Sequence, residues 1–128
     1  MRLLLDTHTF LWWLDGSPRL SAAAREAVAD DANAVYVSAV TGWEIAIKAS
    51  LGRLTLPGDP ATAVLSQMDL NGMRDLPVRM EHALRVATLP HRHADPFDRL
   101  LVAQSMIEGL TIVTADSHLL AYNVPTLW

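Results

Sequence analysis

The sequence predicts an α/β protein: a central parallel β-sheet flanked by helices on both faces. The first observation behind this is that short β-branched or apolar runs alternate with helical segments along the whole chain. The second is the run Leu3-Leu4-Leu5, apolar at every position, which suits a strand covered on both faces rather than one half-exposed to water. The third is that no repeat, charge run or low-complexity linker interrupts the alternation, so residues 1–128 read as one domain. Strands separated by helices pair in parallel through crossover connections.

Each element has a local reason. Residues 2–5 form the first strand and residues 8–14 a helix. Ser17-Pro18 is a turn, and Ser21 caps an alanine-rich helix running to about Asp31. Val35-Tyr36-Val37 has the β-branched and aromatic content of a strand. Residues 39–50 are helical, with Gly52 at the C-cap position. Pro57-Gly58-Asp59-Pro60 turns the chain into a helix over 61–70, closed near Asn71-Gly72. Asp75-Leu76-Pro77-Val78 is a weak strand, which Pro77 assigns to a sheet edge. A helix covers about 79–87, and Leu89 to Ala94 is a loop. Residues 96–108 form a helix stopped by Gly109, Thr111-Ile112-Val113 a strand, 117–121 a short helix and 124–127 a final strand.

Bulk properties narrow the function. Hydrophobic residues make up 51% of the chain, which favours a packed core over disorder. The absence of cysteine excludes disulfides and thiolate metal sites and suits a reducing compartment. Asp6 arrives too early for a signal peptide, and the stretch from Phe10 to Leu14 is too short to span a membrane, so a cytoplasmic protein is expected. A net charge of −4 argues against a basic, non-specific nucleic-acid binder. It does not exclude an enzyme that acts on phosphodiesters with the help of divalent cations.

Four acids carry the functional signal: Asp6, Glu44, Asp98 and Asp116. Asp6 ends the first strand, and Asp116 follows Thr111-Ile112-Val113 after two residues. Glu44 falls on the apolar stripe Val40, Trp43, Ile47, Leu51, and Asp98 shares a helix face with Leu101, Val102 and Ser105. Ligands bind in the crevice at the carboxyl ends of strands in open α/β sheets. Carboxylates gathered there repel one another unless a cation holds them, and an all-oxygen set suits Mg²⁺ or Mn²⁺. Each acid also has a local explanation. Asp6 and Asp116 can cap helices, Thr41-x-x-Glu44 fits a capping box, and Asp98 sits at N3 of a helix that Asp95 caps and Pro96 opens. Asp95 is assigned mainly to the cap, with a supporting role behind the metal ligands.

Leu3-Leu4-Leu5-Asp6-Thr7-His8, Ser38 to Lys48 around Glu44, Asp95-Pro96-Phe97-Asp98-Arg99-Leu100-Leu101, and Thr114-Ala115-Asp116 together resemble the PIN-domain ribonucleases, and most closely the VapC toxins of bacterial type II toxin–antitoxin pairs. The resemblance spans essentially the whole chain, with its motifs in family order. It implies a PIN-like fold, a homodimer, a Mg²⁺ or Mn²⁺ cofactor, RNA as substrate and a cognate antitoxin as partner. It also implies that Asp6, Glu44, Asp98 and Asp116 are the catalytic metal-site acids, flanked by Thr7 and Thr114. His8 receives no role from it, and no side chain is an evident general acid.

Three other readings have some basis. A phosphoryl-transfer domain would want a second acid near Asp6, where position 8 is instead histidine. A zinc site built on His91-x-His93-x-Asp95 with His82 or His118 lacks a further ligand at ordinary spacing. A catalytically silent PIN-like interaction module would use Trp12, Trp13, Trp43 or Trp128 for binding, although core packing suits Trp43 better.

Overall fold

The computed structural model describes residues 1–128, and its single sheet has five parallel strands in the order β3-β2-β1-β4-β5. These are β1 (Arg2–Leu5), β2 (Ala34–Ser38), β3 (Arg74–Leu76), β4 (Thr111–Val113) and β5 (Thr126–Leu127). The helices are α1 (Thr7–Asp15), α2 (Ala22–Ala29), α3 (Ala39–Ser50), α4 (Pro60–Leu70), α5 (Met80–Arg85), α6 (Pro96–Glu108) and α7 (Ser117–Leu120).

The apolar run of β1 explains why it occupies the centre. Successive side chains of a strand point to opposite faces. Leu3 and Leu5 enter one core with Phe10 of α1, Ala24 and Val28 of α2, and Val64 and Met68 of α4. Leu4 enters the other, with Leu101 and Val102 of α6, Ile112 of β4 and Leu119 of α7. All three leucines are fully buried, which only a strand covered on both sides requires.

Several boundaries differ from the sequence reading. The helix expected over 79–87 is α5 followed by a separate 3₁₀ turn, Val86–Thr88. The weak edge strand lies one residue earlier, so Pro77 falls just outside it and removes no ladder hydrogen bond. The last strand is trimmed to two residues. The C-cap of α3 is Leu51, with Gly52 one residue beyond at φ 71°. Gly109 ends α6 at φ 66°, the left-handed conformation that glycine adopts without Cβ strain.

A larger correction concerns α3. Its buried face is Val40, Thr41, Glu44 and Ile45, whereas Trp43 and Leu51 are exposed. The expected stripe was rotated about the helix axis because Trp43 was read as core. Trp43 instead lies outside, edge-on to Phe97 at 5.2 Å between ring centroids. The capping-box alternative for Glu44 also fails. Ser38 is the N-cap, its Oγ accepting from Val40 N–H, so Thr41 lies inside the helix.

The topology fixes where a site belongs. From β1 the chain crosses to β2 and then β3 on one side, whereas β4 and β5 lie on the other. The carboxyl ends of β1 and β4 are therefore neighbours at the point where the strand order reverses, and the crevice opens there.

Candidate active site

Asp6 leaves β1 at this switch point. It is buried, and its carboxylate is held at both oxygens: Oδ1 accepts from Thr9 N–H at 2.8 Å and Oδ2 from the Thr114 hydroxyl at 2.5 Å. Capping and site placement thus coincide in one side chain. Thr114, just past β4, also accepts the Asp116 backbone N–H at 3.0 Å, so its hydroxyl ties the ends of β1 and β4 together. Asp116 caps α7, and its Oδ1 accepts both the backbone N–H of His118 at 2.9 Å and a contact from His118 Nδ1 at 3.0 Å.

Asp98 stands at N3 of α6 beneath Asp95, whose Oδ1 accepts from the backbone N–H groups of Phe97 and Asp98. Asp95 is therefore the helix cap that the sequence suggested. Burial pushes the Asp98 carboxyl up from 3.8 to about 6; the charge of Asp95 adds to this, and those of Asp116 and Asp6 add further, against a partial offset from a hydrogen bond to His93. Asp6 and Asp116 therefore lie close enough for their charges to reach Asp98.

Glu44 is held differently. Its Oε1 accepts from the Thr7 hydroxyl at 2.7 Å, and its Oε2 pairs with Lys48 Nζ at 2.6 Å, one helical turn along. With the Thr7 proton committed to Glu44, Thr41 Oγ1 donates to Thr7 at 3.2 Å. Glu44 is buried near the site but is neutralised by Lys48, and it is not among the groups that raise Asp98. The four acids are not drawn into one tight knot of oxygens. Three ligand atoms mutually within 4.8 Å occur instead at Glu81, His82 and Glu108. There, Nδ1 of the fully buried His82 accepts from Arg79 N–H, and Nε2 donates to Glu108, so both ring nitrogens are already used.

A hard divalent cation fits the donor set around Asp6. Every candidate ligand is a carboxylate or hydroxyl oxygen. Asp98 Oδ1 and Asp116 Oδ2 take no hydrogen bond from the chain, while their partner oxygens do. Burial first, and then the charges of Asp95, Asp116 and Asp6, raise Asp98, and a cation placed among these acids would relieve that repulsion.

The structure also brings in Arg99 and Tyr122, to which sequence reasoning gave no role, and sets His93 against Asp98. Arg99 is buried and anchored on the carbonyls of Pro90, Val86 and Leu89. It donates to Tyr122 Oη at 3.0 Å, which leaves the Tyr122 hydrogen for His93 Nδ1 at 2.9 Å. His93 then carries its proton on Nε2 and donates it to Asp98 Oδ2 at 3.3 Å. The His93 ring stacks on His118 at 5.3 Å with 5° between planes, so two histidines back the two acids. These two rings are the proton-carrying side chains that contact the site acids, each bonded to a carboxylate oxygen. Of the histidines in the zinc reading only His93 and His118 meet, and they stack face to face. His91 is exposed, and His82 belongs to the far end of α6, beside Glu108.

Comparison with known proteins identifies the family. The PIN domain family matches residues 3–124. The chain is 32% identical over 130 residues to Ribonuclease VapC22 of Mycobacterium tuberculosis (strain ATCC 25618 / H37Rv), covering 98% of both. This chain belongs to the PIN-domain family, within its VapC branch. Solved VapC-containing structures share its fold at low identity. The VapBC2 complex of Rickettsia felis bound to a DNA fragment from its promoter aligns at TM-score 0.74 and 12% identity, covering 99% of this chain and 98% of that one. The VapBC-1 structure from nontypeable Haemophilus influenzae aligns at TM-score 0.68 and 15% identity, covering 99% and 97%. No helix of this VapC-family chain is long and apolar enough to cross a membrane.

Proposed function

We propose that the protein is the toxin of a type II toxin–antitoxin pair, acting in the cytoplasm as a homodimeric endoribonuclease dependent on Mg²⁺ or Mn²⁺. The observation that carries this reading is the convergence of Asp6, Asp98 and Asp116 at the β1–β4 switch point, close enough to shift Asp98, in a chain of the VapC branch. Asp6, Asp98, Asp116 and Glu44 would hold the ion. When bound, such an ion neutralises phosphate charge and activates water for in-line attack.

The chain's own residues supply the rest. Thr9 N–H and Thr114 fix the Asp6 carboxylate, and Thr7 and Lys48 fix Glu44. His118 and His93 each hold one oxygen of Asp116 and Asp98, turning the other free for a ligand. Single-stranded or looped RNA suits a recessed acidic site better than a rigid duplex. The direct test is to express the protein alone in cells and map RNA 5′ ends. A sharp set of new ends that needs intact Asp6 supports the reading, and none at all counts against it.

Two further outcomes follow from the same site. Tyr122→Phe should lower kcat/KM for RNA about 10-fold, the lower end of what losing an outer partner of a metal ligand costs. It removes the hydroxyl that fixes the His93 proton, while Arg99 keeps its three carbonyls and the fold. Unchanged cleavage in Tyr122→Phe would show that the Asp98 carboxylate needs no such support.

The antitoxin is expected to silence the enzyme by placing a basic side chain, best arginine, against a site carboxylate. Protein co-purified with the product of its neighbouring gene should show no cleavage until the partner is stripped. A fully active complex would exclude inhibition at this site.

A further inference from the structure

Beside Asp6 and Asp116 lies a cavity of about 350 Å³ whose remaining wall is His8, Trp12, Arg19 and Ala115. We propose that it is a nucleotide subsite for single-stranded RNA, where a base stacks against the Trp12–His8 pair and Arg19 takes the phosphate next to the one being hydrolysed. This rests on the ribonuclease reading above and adds the residues that grip the substrate.

The two rings already stack on each other, 5.8 Å between centroids and 25° between planes, so a base extends an existing stack. Trp128 braces Trp12 edge-on at 5.7 Å, which holds the indole in place before any ligand arrives. Stacking of this kind accepts any base, because each has a π-face. Arg19 decides what else the cavity takes. Its backbone N–H donates to Ser17 Oγ, and its guanidinium enters no ion pair, although Asp6 and Asp116 line the same cavity. An uncommitted guanidinium favours a phosphate, which it can take through two N–H groups at once. The volume lies at the small end of the ~300–1,000 Å³ of ligand sites, matching one nucleotide rather than a duplex. The subsite also gives His8 and Trp12 a role that no carboxylate chemistry explains.

The test measures binding of a short single-stranded oligoribonucleotide in Ca²⁺, and its cleavage in Mg²⁺, for wild type, Arg19→Ala, Trp12→Leu and Trp12→Phe. Trp12→Leu should weaken binding about 5–150-fold, the range for losing one base–aromatic stack, and Trp12→Phe should restore most of it. Arg19→Ala should weaken binding and reduce the slope of log affinity against log salt by about 0.7, one phosphate contact on a single strand. In cleavage, KM should rise while kcat holds. Should Trp12→Leu fail to fold, the exposed Arg19 and its salt slope decide the matter. Wild-type binding by both Arg19→Ala and Trp12→Leu would overturn the subsite. So would changes that spare RNA but abolish antitoxin capture, since the cavity would then belong to the protein partner. Binding through Trp12 and Arg19 without any cleavage in Mg²⁺ would leave the subsite standing and sink the ribonuclease reading instead.

Discussion

Asp6→Asn should abolish RNA cleavage with the fold intact, while Asp95→Asn keeps most of its activity. The expected loss at Asp6 exceeds the ~10–100-fold that removing an outer partner of a metal ligand costs. Both residues cap helices, Asp6 through Thr9 N–H and Asp95 through Phe97 and Asp98 N–H. Asparagine is as good a cap as aspartate, so Asp95→Asn should cost no more than a few tenths of a kcal/mol, and Asp6→Asn about 1 kcal/mol, because its second oxygen also takes the Thr114 hydroxyl. What differs is the charge. At Asp6 it sits buried at the switch point, where it would face the proposed cation; at Asp95 it lies on an exposed residue that only adds to the field on Asp98. Paired cleavage rates and melting curves check the contrast. Equal inactivation of two folded variants would move Asp95 into the catalytic set.

Asp98→Asn should raise the melting temperature of the metal-free protein at neutral pH and remove its response to Mg²⁺. Asp98 is held up at about 6, against 3.8 for the unfolded chain. Between those values the folded protein keeps a proton that the unfolded chain has released, so stability falls as pH rises from about 4 to 6 and then stays level. The full shift corresponds to about 3 kcal/mol, which solvent screening of the partly exposed carboxyl reduces to about 1–2 kcal/mol. Asparagine also forfeits ~0.3–1 kcal/mol of charge–dipole stabilisation at N3. The net gain is about 1 kcal/mol, or about 3–5 °C for a domain of this size. Below pH 4 the two proteins should melt together. In millimolar Mg²⁺ the order should narrow or reverse, because binding free energy stabilises only the wild type. A lower melting temperature for Asp98→Asn in chelator, with no Mg²⁺ effect on either protein, would leave Asp98 a helix-start residue alone.

The sheet was legible because burial on both faces leaves its mark one residue at a time: Leu3, Leu4 and Leu5 face alternate cores, so none of them can be polar. Helix ends were legible where a cap or a glycine states them, as at Ser21, Asp95 and Gly109. The acids stood out because strand ends are few and carboxylates there need a reason. The wall behind them was not readable. Arg99, Tyr122 and His93 meet only because α6 and the segment after α7 pack on the same face of the sheet, and no local spacing announces that. Trp43 misled for the opposite reason. A large apolar side chain at helical spacing reads as core, yet here it sits outside against Phe97, and the buried positions beside it are Thr41 and Glu44. The buried polar face of α3 is intelligible only once Thr7 and Lys48 are seen to satisfy it.

The most direct test of a carboxylate-held, hard-metal ribonuclease is cleavage of a single-stranded RNA by the purified, antitoxin-free protein under defined metal conditions. Activity should vanish when all divalent ions are chelated, return on adding Mg²⁺ or Mn²⁺, persist when a zinc-selective chelator is present with Mg²⁺, and be missing from Asp6→Asn throughout. Cleavage that survives complete chelation, or that is lost on removing zinc alone, would contradict the account.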